Sequence, residues 1–270
     1  MKELPGRLVL LGHPVAHSLS PTFQNAALIA AGLPLTYEAL DVQPSELASM
    51  VGLLADARAA GNVTIPHKEA VFARCKRRTE VAERVGAVNT FWTENGELVG
   101  DNTDVGGFDF AVRRLLGFVP EGITVALLGA GGAAAAVCAA VERWRNSRVL
   151  VTARTPERAA QLAARFPETC TAVNGELDAI GAADLIVNAT PVGLEGGSLM
   201  PVAPGSIGVE TAVLDLSYRR GRTPWIKACR QRGLRSDDGL PMLIEQGALA
   251  FERWFGVAPD REEMWRAVRK

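Results

Sequence analysis

Net charge is almost absent from this 270-residue chain: 29 basic side chains face 30 acidic ones, leaving a formal value of −1. Such a balance gives no global electrostatic reason to bind nucleic acid or an anionic membrane surface. Cysteine is sparse and scattered, at Cys75, Cys138, Cys170 and Cys229, with no Cys-x-x-Cys and no Cys/His spacing. No metal site or disulfide is expected from that pattern, and four inert thiols in a cytoplasmic protein are. His13 and His67 likewise show no metal-ligand spacing. Long apolar runs are missing as well. Leu8, Val9, Leu10 and Leu11 are too few for the core of a signal peptide. Residues 122–141 carry no charge and match a membrane span in length, but Gly129-Ala130-Gly131-Gly132 interrupts them. A strand, a glycine turn and a buried helix explain that stretch better. Internal repeats and low-complexity linkers are also lacking.

What remains is a globular composition, 48 % apolar and 22 % charged, in a chain long enough for two ordinary domains. Strand-like and helix-like stretches alternate. Residues 7–12 read as a buried strand and 20–31 as a helix, with Ser20 suited to cap it, Pro21 to open it and Gly32 to end it. A strand over 35–41, a helix over 44–60 and a strand over 61–65 follow. Residues 88–92 and 98–101 predict a hairpin around Glu94-Asn95-Gly96. A second alternation places strands at 124–128, 148–152, 184–188 and 213–216, with helices over 132–143 and 156–166. From about Leu240 the chain is helical again. Strands alternating with helices imply an α/β protein with a parallel sheet and right-handed crossovers.

Two segments carry chemistry. In Asn62-Val63-Thr64-Ile65-Pro66-His67-Lys68, a lysine directly follows a Pro-His step. Asn62 and Thr64 lie two apart, so on an extended segment they share a face. The residue before Pro66 is biased against helix, which predicts a strand end or turn and then a helix starting near Lys68. The second segment is the apolar run Val125 to Leu128 leading into Gly129-Ala130-Gly131-Gly132-Ala133-Ala134. Here the first glycine permits a tight turn, the second lets backbone approach a pyrophosphate, and the small Ala134 lets helix pack on strand. The helix N-terminus then offers N–H groups to phosphate. NAD binders usually carry an acid at the end of the next strand, but this chain reads Val151-Thr152-Ala153-Arg154-Thr155, with Arg158 one turn on. Two guanidiniums there suit a 2′-phosphate, so the expected cofactor is NADP.

Four more segments complete the pattern: residues 12–21 (GHPVAHSLSP), Gly86-Ala87-Val88-Asn89-Thr90, Asp101-Asn102-Thr103-Asp104 and residues 239–247 (GLPMLIEQG). Together with 62–68, the glycine turn and Asn188-Ala189-Thr190, they resemble the shikimate dehydrogenase family from residue 12 to about 256. The resemblance implies a discontinuous α/β substrate domain, 1–104 with 239–270, a Rossmann-type doubly wound NADP-binding domain over 105–238, and a cleft between them. It also implies NADPH-dependent reduction of 3-dehydroshikimate to shikimate in aromatic amino-acid (chorismate) biosynthesis, by a monomer or homodimer without nucleic-acid or membrane partners. Carried over by motif, Lys68 and Asp104 are the catalytic pair. Ser18, Ser20, Thr64 and Tyr218 hold the substrate carboxylate, and Asn89 and Gln246 join the pair at the ring hydroxyls. Gly129, Ala130, Gly131, Gly132, Ala133, Arg154, Thr155, Arg158, Thr190 and Met242 bind the cofactor. Asn62 shapes the site rather than reacting.

Taken alone, several of these residues have plainer readings: Ser20 as a helix cap, Asn89 and Asn102 as turn residues, Tyr218 as core. The chain also departs from the family pattern. Gln24 stands where histidine is common, Ala60-Gly61 shifts a glycine, Ala153 replaces an asparagine, and Arg219-Arg220 replace Asn-Pro. Three rival readings stand beside it: a quinate or broad quinate/shikimate dehydrogenase, a catalytically silent paralogue, and an unrelated Rossmann binder, which leaves the N-terminal motifs unexplained. A hydrolase using His17 and a neighbouring serine is set aside, because the chain lacks the Gly-x-Ser-x-Gly elbow.

Overall fold

The computed structural model describes residues 3–175, 179–181, 183–193 and 199–269. The chain divides into two compact units, Met1–Gly107 with Leu243–Lys270, and Phe108–Met242.

The first unit opens with β1 (Leu8–Gly12), α1 (Ser20–Ala30), β2 (Tyr37–Asp41), α2 (Leu47–Asp56), β3 (Ala60–Val63), α3 (Lys68–Phe72), β4 (Arg77–Arg78), α4 (Glu80–Val85), β5 (Thr90–Glu94) and β6 (Glu97–Asp101). Its sheet runs β2-β1-β3-β5-β6-β4. β1 pairs in parallel with β2 and β3, but β5 is antiparallel to both β3 and β6, so this sheet is mixed rather than parallel. The hairpin is the cause. Asn95 and Gly96 take φ of 53° and 75°, the pair of positive values that a two-residue turn needs to match strand twist. Two local expectations change. Helix α2 covers less than 44–60 because Arg58, at φ 49°, breaks the helical path, and nothing about an arginine announces that. Leu19, not Ser20, caps α1, so Ser20 is the first helical residue.

The second unit begins within α5 (Asp104–Leu116) and continues through β7 (Thr124–Leu128), α6 (Gly132–Val141), β8 (Arg148–Thr152), α7 (Pro156–Arg165), β9 (Cys170–Ala172), β10 (Leu185–Asn188), β11 (Ala212–Asp215), α8 (Pro224–Gln231) and β12 (Ser236–Asp238). The chain returns to the first unit within α9 (Leu240–Phe255) and ends with α10 (Arg261–Arg269). The second sheet runs β12-β11-β10-β7-β8-β9, and every neighbouring pair is parallel. Counted from β7, this is the doubly wound order of dinucleotide-binding folds. The order reverses between β7 and β10, the crevice where such folds take ligands. Strand β7 is buried along its whole length, and α6 is buried from Ala134 through Val141. That explains the uncharged stretch of sequence. Among the described residues no helix is long and apolar enough to cross a membrane.

Asp238 closes β12, is 4 % exposed, and accepts a hydrogen bond from Leu240 N at 3.2 Å. Burial pushes its carboxyl up to about 6, with Asp237 and Asp215 adding to the rise while the Leu240 N–H and Arg222 oppose it. The folded state therefore holds this proton more tightly than the unfolded state does. Its contribution is intact below about pH 4 and is lost as pH rises through about 6. Asp238→Asn keeps the acceptor for Leu240 without the charge. It is expected to match the parent near pH 4 and to exceed it by about 1–3 kcal/mol at pH 8. Urea denaturation at the two pH values checks this; equal gains at both would contradict it.

Candidate active site

The first unit assembles a polar cluster from segments far apart in sequence. Strand β3 delivers the chain through Thr64 and Pro66 to Lys68, the first residue of α3. Strand β6 delivers it through Asn102 and Thr103 to Asp104, the first residue of α5. Lys68 Nζ donates to Asp104 Oδ2 at 2.6 Å, and the two side chains are 17 % and 6 % exposed. A carboxylate this buried needs compensating donors. Asn89 Nδ2 supplies one to Asp104 Oδ1 at 2.8 Å. Position at the N-terminus of α5 adds the favourable end of the helix dipole.

Asn89 is the hub. Its Nδ2 also reaches Thr103 Oγ1 at 3.0 Å and Gln246 Oε1 at 3.1 Å, and its Oδ1 accepts from Thr103 N at 2.7 Å. Its backbone carbonyl accepts from Val63 N and from Asn62 Nδ2. Asn62 Oδ1 in turn accepts from Tyr37 Oη at 2.9 Å, so both ends of the Asn62 amide are engaged within the protein. Asn102 makes a local turn, accepting from Asp104 N at 3.1 Å while donating to Ala87 O at 2.9 Å. Gln246 lies on α9 and donates to Leu243 O at 2.8 Å.

The serine segment is tied to the same strand ends. His13 N donates to Ile65 O and Thr64 N donates to Leu11 O, and Ser18 Oγ accepts from Ser20 N at 3.2 Å. Ser20 is buried and Ser18 and Thr64 are half-buried. Gln24 is wholly buried and donates to Gly247 O at 2.9 Å, so it is a packing residue and not a surface one. The carboxylate of Asp41 engages His13 (Nδ1 to Oδ1, 2.5 Å) and not the exposed His17, the histidine a hydrolase would need oriented. That His13 hydrogen bond is the main cause holding the Asp41 carboxyl below the usual range.

The second unit carries the glycine turn. Gly129 has φ 113°, and a Cβ there would meet Ala189 O at 3.0 Å and Thr190 Cγ2 at 3.1 Å, so glycine is required. Gly131 caps α6 without a side-chain bond, and open space stands where its Cβ would be. These features fit a dinucleotide phosphate laid on the start of α6. Gly132, Ala133 and Ala134 begin that helix, and Ala130 leads into it. Arg154, Thr155 and Arg158 are exposed at the end of β8 and the start of α7. Thr190 follows β10, Met242 is buried in α9, and Tyr218 is half-buried after β11.

The structure thus joins Lys68, Asp104, Asn89 and Gln246 by direct hydrogen bonds, bonds Ser20 N to Ser18 Oγ, and ties Leu11 and His13, just before the serines, to Thr64 and Ile65. Tyr218 and the cofactor-binding set belong to the second unit. Sequence reasoning gave Thr103 no role, although it bonds Asn89 on two sides. Asn102 was legible as a turn residue two positions before Asp104.

Family models match three stretches: the shikimate dehydrogenase substrate binding domain over residues 10–91, shikimate / quinate 5-dehydrogenase over 116–193, and the shikimate 5'-dehydrogenase C-terminal domain over 239–269. A shikimate dehydrogenase (NADP(+)) from Mesorhizobium japonicum is 40 % identical, covering 99 % of this chain and 97 % of that protein. The crystal structure of shikimate dehydrogenase from Aquifex aeolicus superposes with a TM-score of 0.91 at 36 % identity, covering 100 % of both chains. That of shikimate 5-dehydrogenase from Thermus thermophilus, in complex with NADP(H) and shikimate, gives 0.88 at 40 % identity over 99 % of both.

Asn89→Ala removes the group that joins Asp104, Thr103 and Gln246. Leaving those buried partners unmatched is expected to cost about 3 kcal/mol or more. Urea denaturation measures it, and a loss below about 1 kcal/mol would show that the hub is not what holds the cluster together.

Proposed function

This chain belongs to the shikimate dehydrogenase family, and from that premise we propose that it catalyses the reversible NADPH-dependent reduction of 3-dehydroshikimate to shikimate. The observation that carries the reading is the Lys68–Asp104 pair, held at 2.6 Å and backed by Asn89 and Gln246. Reduction of the ketone needs a hydride, which the nicotinamide supplies when bound. The protein must supply orientation and a proton for the oxygen. Lys68 is the group placed to donate that proton and to face the negative charge growing on the oxygen. Asp104 holds Lys68 in position, and the reverse reaction returns the proton to Nζ. Asn89 and Gln246 present amides to ring hydroxyls. Ser18, Ser20, Thr64 and Tyr218 offer hydroxyl donors to the carboxylate.

For the cofactor, Gly129 through Ala133 take the pyrophosphate, and Thr190 and Met242 line the remainder. Arg154 and Arg158, with Thr155 between them, grip the 2′-phosphate. No acidic residue stands at the end of β8 to favour a free 2′-hydroxyl. Four free, buried cysteines support a cytoplasmic location and reduced thiols.

The direct test is NADPH absorbance with purified protein, shikimate and NADP⁺, with quinate and NAD⁺ in parallel. Turnover mainly in the first mixture is expected; turnover mainly with quinate or NAD⁺ would overturn the specificity. Lys68→Ala is expected to lower kcat by about 100- to 10,000-fold with a small change in substrate KM. Near-parental turnover would remove Lys68 from the chemistry. Replacing Arg154 and Arg158 together by Ala is expected to raise KM for NADPH about 10- to 100-fold and leave that for NADH nearly unchanged. Equal effects on both cofactors would show that the arginines do not read the phosphate.

A further inference from the structure

Asp215 ends β11, is 1 % exposed, and has no part in the chemistry described above. Its Oδ1 accepts from Asn188 Nδ2 at 2.9 Å and from Ser217 N at 3.1 Å, and its Oδ2 accepts from Thr223 Oγ1 at 2.8 Å. Burial raises its pKa, and the hydrogen bonds from Thr223, Ser217 and Asn188 oppose that rise. Asn188 ends the adjacent strand β10 and is 0 % exposed. Its Oδ1 accepts from both Thr190 N at 3.0 Å and Thr190 Oγ1 at 2.6 Å.

An amide can face either way, and its neighbours decide which. Asp215 Oδ1 accepts from both Asn188 Nδ2 and Ser217 N, so it holds the amide nitrogen of Asn188 and leaves Asn188 Oδ1 facing Thr190. That orientation commits the Thr190 hydroxyl proton inward. Thr190 Oγ1 also accepts from Val192 N at 3.2 Å, which closes the turn. Toward a ligand, Thr190 can then only accept. The loop so fixed is the one that Gly129 packs against, since a Cβ on Gly129 would strike Ala189 O and Thr190 Cγ2. Asp215 thus governs one wall of the glycine turn at the switch point of the sheet.

We propose that Asp215 is a positioning residue for the cofactor, acting through Asn188 to set the Thr190 loop beside Gly129. The inference rests on the reading of this unit as an NADP(H)-binding domain. A purely structural role is the alternative, because Thr223 also caps α8 through Ile226 N. The two separate cleanly. Thr223→Val removes the Oδ2 partner and the cap while leaving the Oδ1 side intact. Asp215→Ala removes the acceptor that Asn188 Nδ2 and Ser217 N share.

Calorimetric titration of NADPH into full-length parent, D215A and T223V, with thermal melts of each, reads this without turnover. D215A is expected to raise the NADPH Kd about tenfold or more, and to raise KM for NADPH more than it lowers kcat. T223V is expected to lower Tm while holding Kd within about twofold. A folded D215A protein with Kd within about twofold of the parent would overturn the proposal. So would affinity lost in step with Tm in both variants. If D215A does not fold, Asn188→Leu serves in its place: it removes the same link and should show the same loss, and parental affinity in that variant would sink the idea. A parent that binds no NADPH would overturn the functional reading and this inference with it.

Discussion

Burying a carboxylate is the constraint around which the first unit is arranged. Asp104 is 6 % exposed on its side chain, and burying a carboxylate costs free energy unless a cation and hydrogen-bond donors meet it. Lys68 and Asn89 meet it, and neither can do so unless β3, β5 and β6 end side by side. The mixed sheet is therefore tied to the candidate site. Its antiparallel strand β5 starts at Thr90, which places Asn89 at the strand entrance beside the residues that follow β3 and β6. A fourth segment is recruited by the same amide, since Gln246 lies 157 residues from Asn89.

The same local device recurs where strands leave the sheets. Asn102, Asn188, Asp215 and Asp238 each accept a hydrogen bond from the backbone N–H two residues on, at Asp104, Thr190, Ser217 and Leu240. A strand end inside a protein exposes backbone donors that have lost their ladder partners, and a short polar side chain satisfies one while turning the chain. Each of these four is buried, so the turn is rigid as well as satisfied. Three of them hold residues or loops to which the proposed function gives a task. The fold solves a backbone problem, and ligand-binding geometry follows from the solution.

How much of this was legible depends on whether the signal was local. Strands β7 and β8 match their expected bounds because Gly129 punctuates the first and an arginine-bounded apolar run defines the second. The hairpin was legible from Asn95-Gly96 alone. Strands β4, β9 and β12, of two or three residues, leave no period to detect. The break in α2 hides behind Arg58, a residue with no turn preference. In the candidate site, the family resemblance paired Lys68 with Asp104, and the two are hydrogen-bonded across 36 residues of sequence. The Asn188–Asp215 bond spans 27 residues and belongs to no motif, so nothing in the sequence announced it. Asp215 went unremarked because it falls inside the strand expected over 213–216, and a lone aspartate there belongs to no motif.

Both passages of the chain between the two units lie inside helices, at Gly107–Phe108 in α5 and at Met242–Leu243 in α9. A helix advances by about 100° per residue, so one inserted residue there would turn by that angle the side chains that follow it in the same helix. Loops elsewhere can lengthen at small entropic cost. At these two seams the chain has no loop to take up a change of length, so a hybrid joined there keeps α5 and α9 whole only if it is spliced in helical register.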